Sequence, residues 1–175
     1  MNAIDSRTKY NLGCRFIESR TLEEFEEFFK ELKGRIGEQI HEVFRREKYR
    51  STRERKLVTF VSDKLEQYRT VFNRYFYRIA KLVHGVSIAC RQYGLKHNNN
   101  PIERYNEDIK QRYKTMRHFK SAASADAFLK LRRVMYNFVR NHRKLHGRTP
   151  AEMAGIQFDL GRSRLAGLIK LCIAH

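Results

Sequence analysis

Tryptophan is absent from this chain of 175 residues, which has only two prolines and three cysteines. Cys14, Cys90 and Cys172 lie far apart, are odd in number and form no CxxC pair. They read as reduced, partly buried thiols, not as a disulfide frame or a zinc site. His97, His118, His142 and His146 have no ligand spacing with them. No apolar run approaches the length of a membrane span, and no charged-then-apolar leader opens the chain, so a cytoplasmic location is expected. Negative charge is also scarce, with 19 Asp and Glu against 37 Lys and Arg and a net charge of +18. That imbalance suggests a polyanionic partner, with neither a membrane nor a small molecule as the target. Aromatic residues make up 12%, too many for a disordered basic tail. Without an internal repeat or low-complexity linker, the length suits one domain over 1–175 with a real core.

Met1–Asp5, a turn over Ser6–Lys9, and Tyr10–Ile17 read as strand, turn, strand. Thr21 with Glu24 three residues on opens a helix whose Leu22, Phe25, Phe28, Phe29 and Leu32 keep helical spacing. A second helical stretch is expected around Ile36, Ile40, Val43 and Phe44, followed by an exposed basic connection from Arg45 to Lys56. Leu57–Val61 is β-branched and apolar throughout, as a strand covered on both faces should be. Leu65–Ile79 reads as a helix with Tyr68, Val71, Phe72, Tyr75 and Phe76 inward, and a short strand is expected over Val83–Ala89. One long helix is expected over about Ala125–Leu145, burying Phe128, Leu131, Met135, Phe138 and Val139, with Lys130, Arg133, Arg140 and Lys144 facing away. Thr149-Pro150-Ala151-Glu152 is a capped short helix, and Leu165–Ile173 a last apolar one. Strands separated by helices argue for an α/β sheet with a helical C-terminal part.

The segment from His97 to Phe119 carries most information. Asn100 suits an N-cap, Pro101 the first helical position, and Glu103 then falls at N3. At about 100° per residue, positions 107, 110, 114 and 117 return to within about 40° of Glu103. The stripe reads Glu103, Glu107, Lys110, Lys114, Arg117, and the apolar stripe is Ile102, Tyr105, Ile109, Tyr113, Met116. A carboxylate at the mouth of a helix with cations leading away suits work on a phosphate backbone. Asn100-x-x-Glu103 is equally a capping-box pattern, in which the carboxylate only reaches back to the cap N–H.

Asp63 directly follows the expected buried strand, at the end where functional side chains collect in open α/β sheets. Ser62-Asp63 can equally serve as a cap for the next helix. Asp63 and Glu103 lie forty residues apart, room for a helix and a strand. Two converging carboxylates in a basic protein would suit Mg²⁺, and a pair of such ions can drive phosphodiester displacement.

Four segments resemble the C-terminal half of a DDE transposase from a bacterial or archaeal insertion sequence. They are Asn99-Asn100-Pro101-Ile102-Glu103-Arg104-Tyr105-Asn106, Met116-Arg117-His118-Phe119-Lys120-Ser121, Tyr136-Asn137-Phe138-Val139-Arg140-Asn141-His142 and Arg148-Thr149-Pro150-Ala151-Glu152-Met153-Ala154-Gly155-Ile156. Val61-Ser62-Asp63-Lys64-Leu65-Glu66-Gln67-Tyr68 resembles the segment with the family's second catalytic Asp, and Ala3–Thr21 its second and third strands. The resemblance implies an RNase H-like fold, as in retroviral integrases, with Asp63 and Glu103 as catalytic and metal-binding acids. It implies a two-metal centre with Mg²⁺ or Mn²⁺, double-stranded DNA as partner, and location at the nucleoid. Lys110, Lys114, Arg117 and Lys120 would then meet phosphates.

One departure matters more than the matches. The family's first catalytic Asp lies on a strand before Ala3-Ile4-Asp5, and Met1 leaves no room for it. The expectation is therefore a core lacking its first strand, without the usual N-terminal DNA-recognition region, and impaired in catalysis. Asp5 is the tempting substitute, although the resemblance places it at the turn end of the neighbouring strand. Loss of a central strand would leave open edges that invite pairing with another copy. The alternative is a catalytically inactive, basic DNA-binding remnant. A basic RNA-binding helical protein is poorly supported, since no strand carries interleaved aromatics and there is no GxxG loop.

Overall fold

The computed structural model describes residues 1–63, 65–84, 100–115 and 119–173. They fall into two compact units, one of Met1–Phe16 with Met116–His175 and one of Ile17–Thr115. The architecture is mixed α/β, and among the described residues it holds two separate two-stranded sheets, not the single sheet expected from the sequence.

In the first unit, β1 (Asn2–Ile4) and β2 (Asn11–Cys14) form the expected antiparallel pair, with Asn2 opposite Cys14 and a bulge between Ala3 and Ile4. Asp5 closes the turn: its carboxylate accepts from the Thr8 N–H at 2.6 Å and from the Thr8 hydroxyl at 2.5 Å. The long helix expected over 125–145 is instead α4 (Ala122–Val134), a π-helical turn over Met135–Val139 and a 3₁₀ turn at Arg143–Leu145. Arg140 N–H donates to Met135 O at 2.9 Å, so the turn is widened by one residue. The inward face also differs from the expected one. Ala125, Leu129, Tyr136 and Asn137 are buried, while Leu131 is 60% exposed.

Asn137 takes the place of a strand partner. Its Oδ1 accepts from Asn11 N–H at 2.8 Å and its Nδ2 donates to Asn11 O at 3.0 Å, both in the buried interior. Asp126 accepts from Phe16 N–H at 3.4 Å and pairs with Lys130 at 2.7 Å. The hydrogen bond from Lys130 is the main reason its carboxyl lies below the usual range. Farther on, α5 (Pro150–Met153) opens with a complete capping box between Thr149 and Glu152, as the sequence anticipates. Arg164 then pairs with Glu152 at 2.8 Å as α6 (Arg164–Ile173) begins. Gly167 lies so close to Leu160 that an added Cβ would stand 2.3 Å from its carbonyl oxygen.

The second unit begins with α1 (Leu22–Glu47), where Thr21 Oγ1 accepts from Glu24 N–H as the cap. The two helical stretches read from the sequence are this one continuous helix, in which Gly37 is buried beside Lys33. A glycine costs a helix interior only about 1 kcal/mol, less than the burial of Phe25, Phe28, Phe29, Leu32 and Ile40 recovers. β3 (Thr59–Ser62) pairs in parallel with β4 (Lys81–His84), and α2 (Glu66–Phe76) crosses between them. All four β3 residues are half-buried, so the strand is not covered on both faces as expected. The core here is aromatic: Phe60, Phe72 and Phe76 interlock with Phe29 of α1. β4 starts two residues before the expected strand, and the remainder of that expectation, 85–89, lies outside the described residues. α3 (Asn100–Thr115) ends this unit.

Candidate functional site

Asp63 leaves the carboxyl end of β3 as an exposed residue. The parallel register sets Ser62 opposite His84, so the ends of β3 and β4 lie side by side. His84 Nδ1 stands 3.1 Å from the Asp63 carbonyl oxygen, which also accepts from Ser62 Oγ at 2.9 Å. Asp63 Oδ1 accepts from Leu65 N–H at 3.4 Å, a turn contact two residues on. The N-cap of α2 is Leu65, with no side-chain cap bond, so the Ser62-Asp63 pair does not cap the helix as its residues suggest. Tyr68 packs one turn on, edge-on to Phe25 with ring centres 4.8 Å apart. Burial raises the Tyr68 phenol above its ordinary pKa, and the negative Asp63 nearby raises it further against a lowering by Arg20. Sequence reasoning misses His84, for which the only signal is its place at the end of an apolar Leu-Val pair.

The helix of Glu103 forms as its residues dictate. α3 carries Glu103 in its first turn and Arg112 and Lys114 in its last, which complements the helix dipole at both ends. It already includes Asn100, one residue earlier than a cap there would allow. Tyr105 is buried at 3% exposure, and Ile102, Ile109 and Tyr113 are half-buried, while Glu103, Glu107, Lys110 and Lys114 are all exposed. The apolar and charged stripes therefore separate as their spacing requires. Lys120 is exposed in the turn before α4, in the other unit. Met116 and Arg117, at the end of the two stripes, lie outside the described residues.

Asp63 and Glu103 belong to one compact unit and offer oxygens of the kind Mg²⁺ takes. Among the described residues, no three His, Cys, Asp or Glu side chains gather as a metal-holding group. The described residues do not by themselves complete a two-metal centre. Asp5 lies in the other unit with its carboxylate engaged by Thr8. Cys14 is a buried free thiol and Cys172 an exposed one, while Cys90 lies outside the described residues. No described helix is long and apolar enough to cross a membrane.

Residues 84–150 match the family model described as an integrase core domain. The matched stretch begins at His84 and contains α3, Glu103 and the cations beyond it. No curated protein and no solved structure matches the chain. The family match supports an integrase- or transposase-like catalytic core with a role in DNA recombination. Such cores have an RNase H-like fold, act on DNA and generally use divalent metals.

Proposed function

We propose that this chain is the catalytic core of a DDE transposase from an insertion sequence, acting on double-stranded DNA. The observation that carries the proposal is α3. Inside the matched segment it presents Glu103, Glu107, Lys110 and Lys114 to solvent while Tyr105 anchors its other side. Lys110 and Lys114, with Arg117 and Lys120, take phosphates, and Glu103 stands at the head of the stripe toward the scissile bond. Asp63 and Glu103 supply two of the acids for strand cleavage and for attack by the freed 3′-hydroxyl, with Mg²⁺ or Mn²⁺ as the family's metal.

A second reading, a DNA-binding protein that does not cut, is favoured by the state of Asp5. Two hydrogen bonds from Thr8 hold its carboxylate within its own turn, which suits a structural role better than that of a third acid. The two readings separate in a nicking and strand-transfer assay on supercoiled DNA with Mn²⁺. The transposase reading predicts nicked and joined products that disappear with Glu103→Gln. A folded, DNA-binding chain that yields no product would establish the second.

A further inference from the structure

The other end of the parallel pair is rich in cations. Opposite Asp63 and His84, at the amino ends of β3 and β4, the chain gathers cations around two exposed tyrosines. Residues 45–56 hold seven Lys and Arg against two Glu, and no acid occurs from 67 through 84. This connection is built, not loose. The Arg55 guanidinium donates to Lys48 O at 2.7 Å and to Arg50 O at 3.0 Å, folding the segment onto itself. Glu47 accepts from Lys56 N–H at 2.9 Å and Glu54 accepts from Ser51 Oγ at 2.8 Å, so both acids are used inside the loop. Lys81, the first residue of β4, donates from its backbone to Val58 O at 2.8 Å and from Nζ to Arg55 O at 3.0 Å. That joins the loop to the turn after α2.

Each segment carries the same device. Tyr49 is 85% exposed with Lys48 Nζ 4.7 Å from its ring centre, and Tyr77 is 61% exposed with Arg78 5.1 Å from its ring centre. Arg78 is held at φ 63°, a left-handed conformation that costs a residue with a Cβ. Arg53, Lys56 and Arg78 make no ion pair with the described residues, whereas Arg45 and Arg46 are paired with Glu38 and Glu42. Large aromatic rings left in water beside uncommitted cations fit a polymer with both phosphates and unpaired flat bases.

We propose that this end of the β3–β4 pair binds a single-stranded stretch of nucleic acid. Tyr49 and Tyr77 stack on bases, and Arg53, Lys56 and Arg78 take the phosphates. The surface is distinct from the α3 face and does not depend on the recombination reading. Its test uses the full chain with a labelled oligothymidine, and a blunt duplex of equal length as the comparison. Both tyrosines are exposed, so their replacement leaves the core intact, which a thermal melt verifies. Tyr49→Ala with Tyr77→Ala weakens oligothymidine binding by about tenfold or more and leaves duplex binding unchanged, since stacking is worth about a decade per base. Tyr49→Phe with Tyr77→Phe binds as the native chain does. Arg53→Ala, Lys56→Ala and Arg78→Ala together lower the salt slope by about 0.7 for each phosphate no longer neutralised. Unchanged oligothymidine affinity in the tyrosine-to-alanine pair overturns the proposal. Equal losses on oligothymidine and duplex also overturn it, as does a preference for anionic lipid vesicles over oligothymidine.

Discussion

Replacing Phe76 by Ala lowers the free energy of unfolding by about 3–5 kcal/mol, the range for a buried aromatic truncated in a packed core. Its ring is fully buried, with ring centres 5.0 Å from Phe60, 5.8 Å from Phe72 and 6.2 Å from Phe29. The emptied volume falls where α1, α2 and β3 meet, and none of these aromatics can fill it without leaving its own neighbours. Phe76→Leu keeps most of the volume and costs less than half as much. Denaturant unfolding monitored by circular dichroism measures both. Equal, small losses would mean that the aromatic cluster is not the core of the Ile17–Thr115 unit.

Asn137→Ala has a comparable effect on the other unit, by a different mechanism. Each of the two hydrogen bonds to Asn11 satisfies a backbone group in the interior. Leaving a buried donor or acceptor unpaired costs about 1–3 kcal/mol, so removing both hydrogen bonds destabilises by about 2–6 kcal/mol. Asn137→Asp separates the two contributions. It keeps an acceptor for the Asn11 N–H, loses the donor to the Asn11 carbonyl, and buries a charge that nothing compensates. It should therefore be no better than Ala, a result that simple loss of side-chain volume does not explain. Hydrogen exchange at Asn11 N–H, accelerated most in the alanine variant that removes its acceptor, gives the local readout.

These two positions also show what is legible in the sequence. Phe72 and Phe76 fall four residues apart in an amphipathic stretch, and helical periodicity alone marks them as buried. Thr21 and Thr149 identify their helix starts because a cap is a local interaction, complete within four residues. Asn137 is not legible as an anchor. Its partner is Asn11, and its inward direction comes from the π-helical turn at Met135–Val139. A period of 3.6 residues projected across that turn places Leu131 and Phe138 on the buried face and leaves Leu131 wrongly inward. The halves of α1 read as separate because Gly34 and Gly37 interrupt the pattern, although the buried phenylalanines outweigh them.

The candidate site divides in the same way. The exposed stripe on α3 is a property of one helix and follows from its spacing. Asp63 can be placed at the end of β3 because a short apolar run followed by Ser-Asp marks a strand end. Whether acids distant in sequence converge is a tertiary matter, which neither residue type nor spacing encodes.

In the proposed function, α3 grips duplex DNA through its cations, within the segment that matches an integrase core domain. The most direct measurement is the salt dependence of duplex binding for the native chain and for Lys110→Ala with Lys114→Ala. The variant should bind more weakly by a similar factor on unrelated sequences, with a log–log slope shallower by about 1.8 for two phosphates no longer neutralised. An unchanged slope and affinity would show that the α3 stripe is an ordinary solvated face, and would contradict the account.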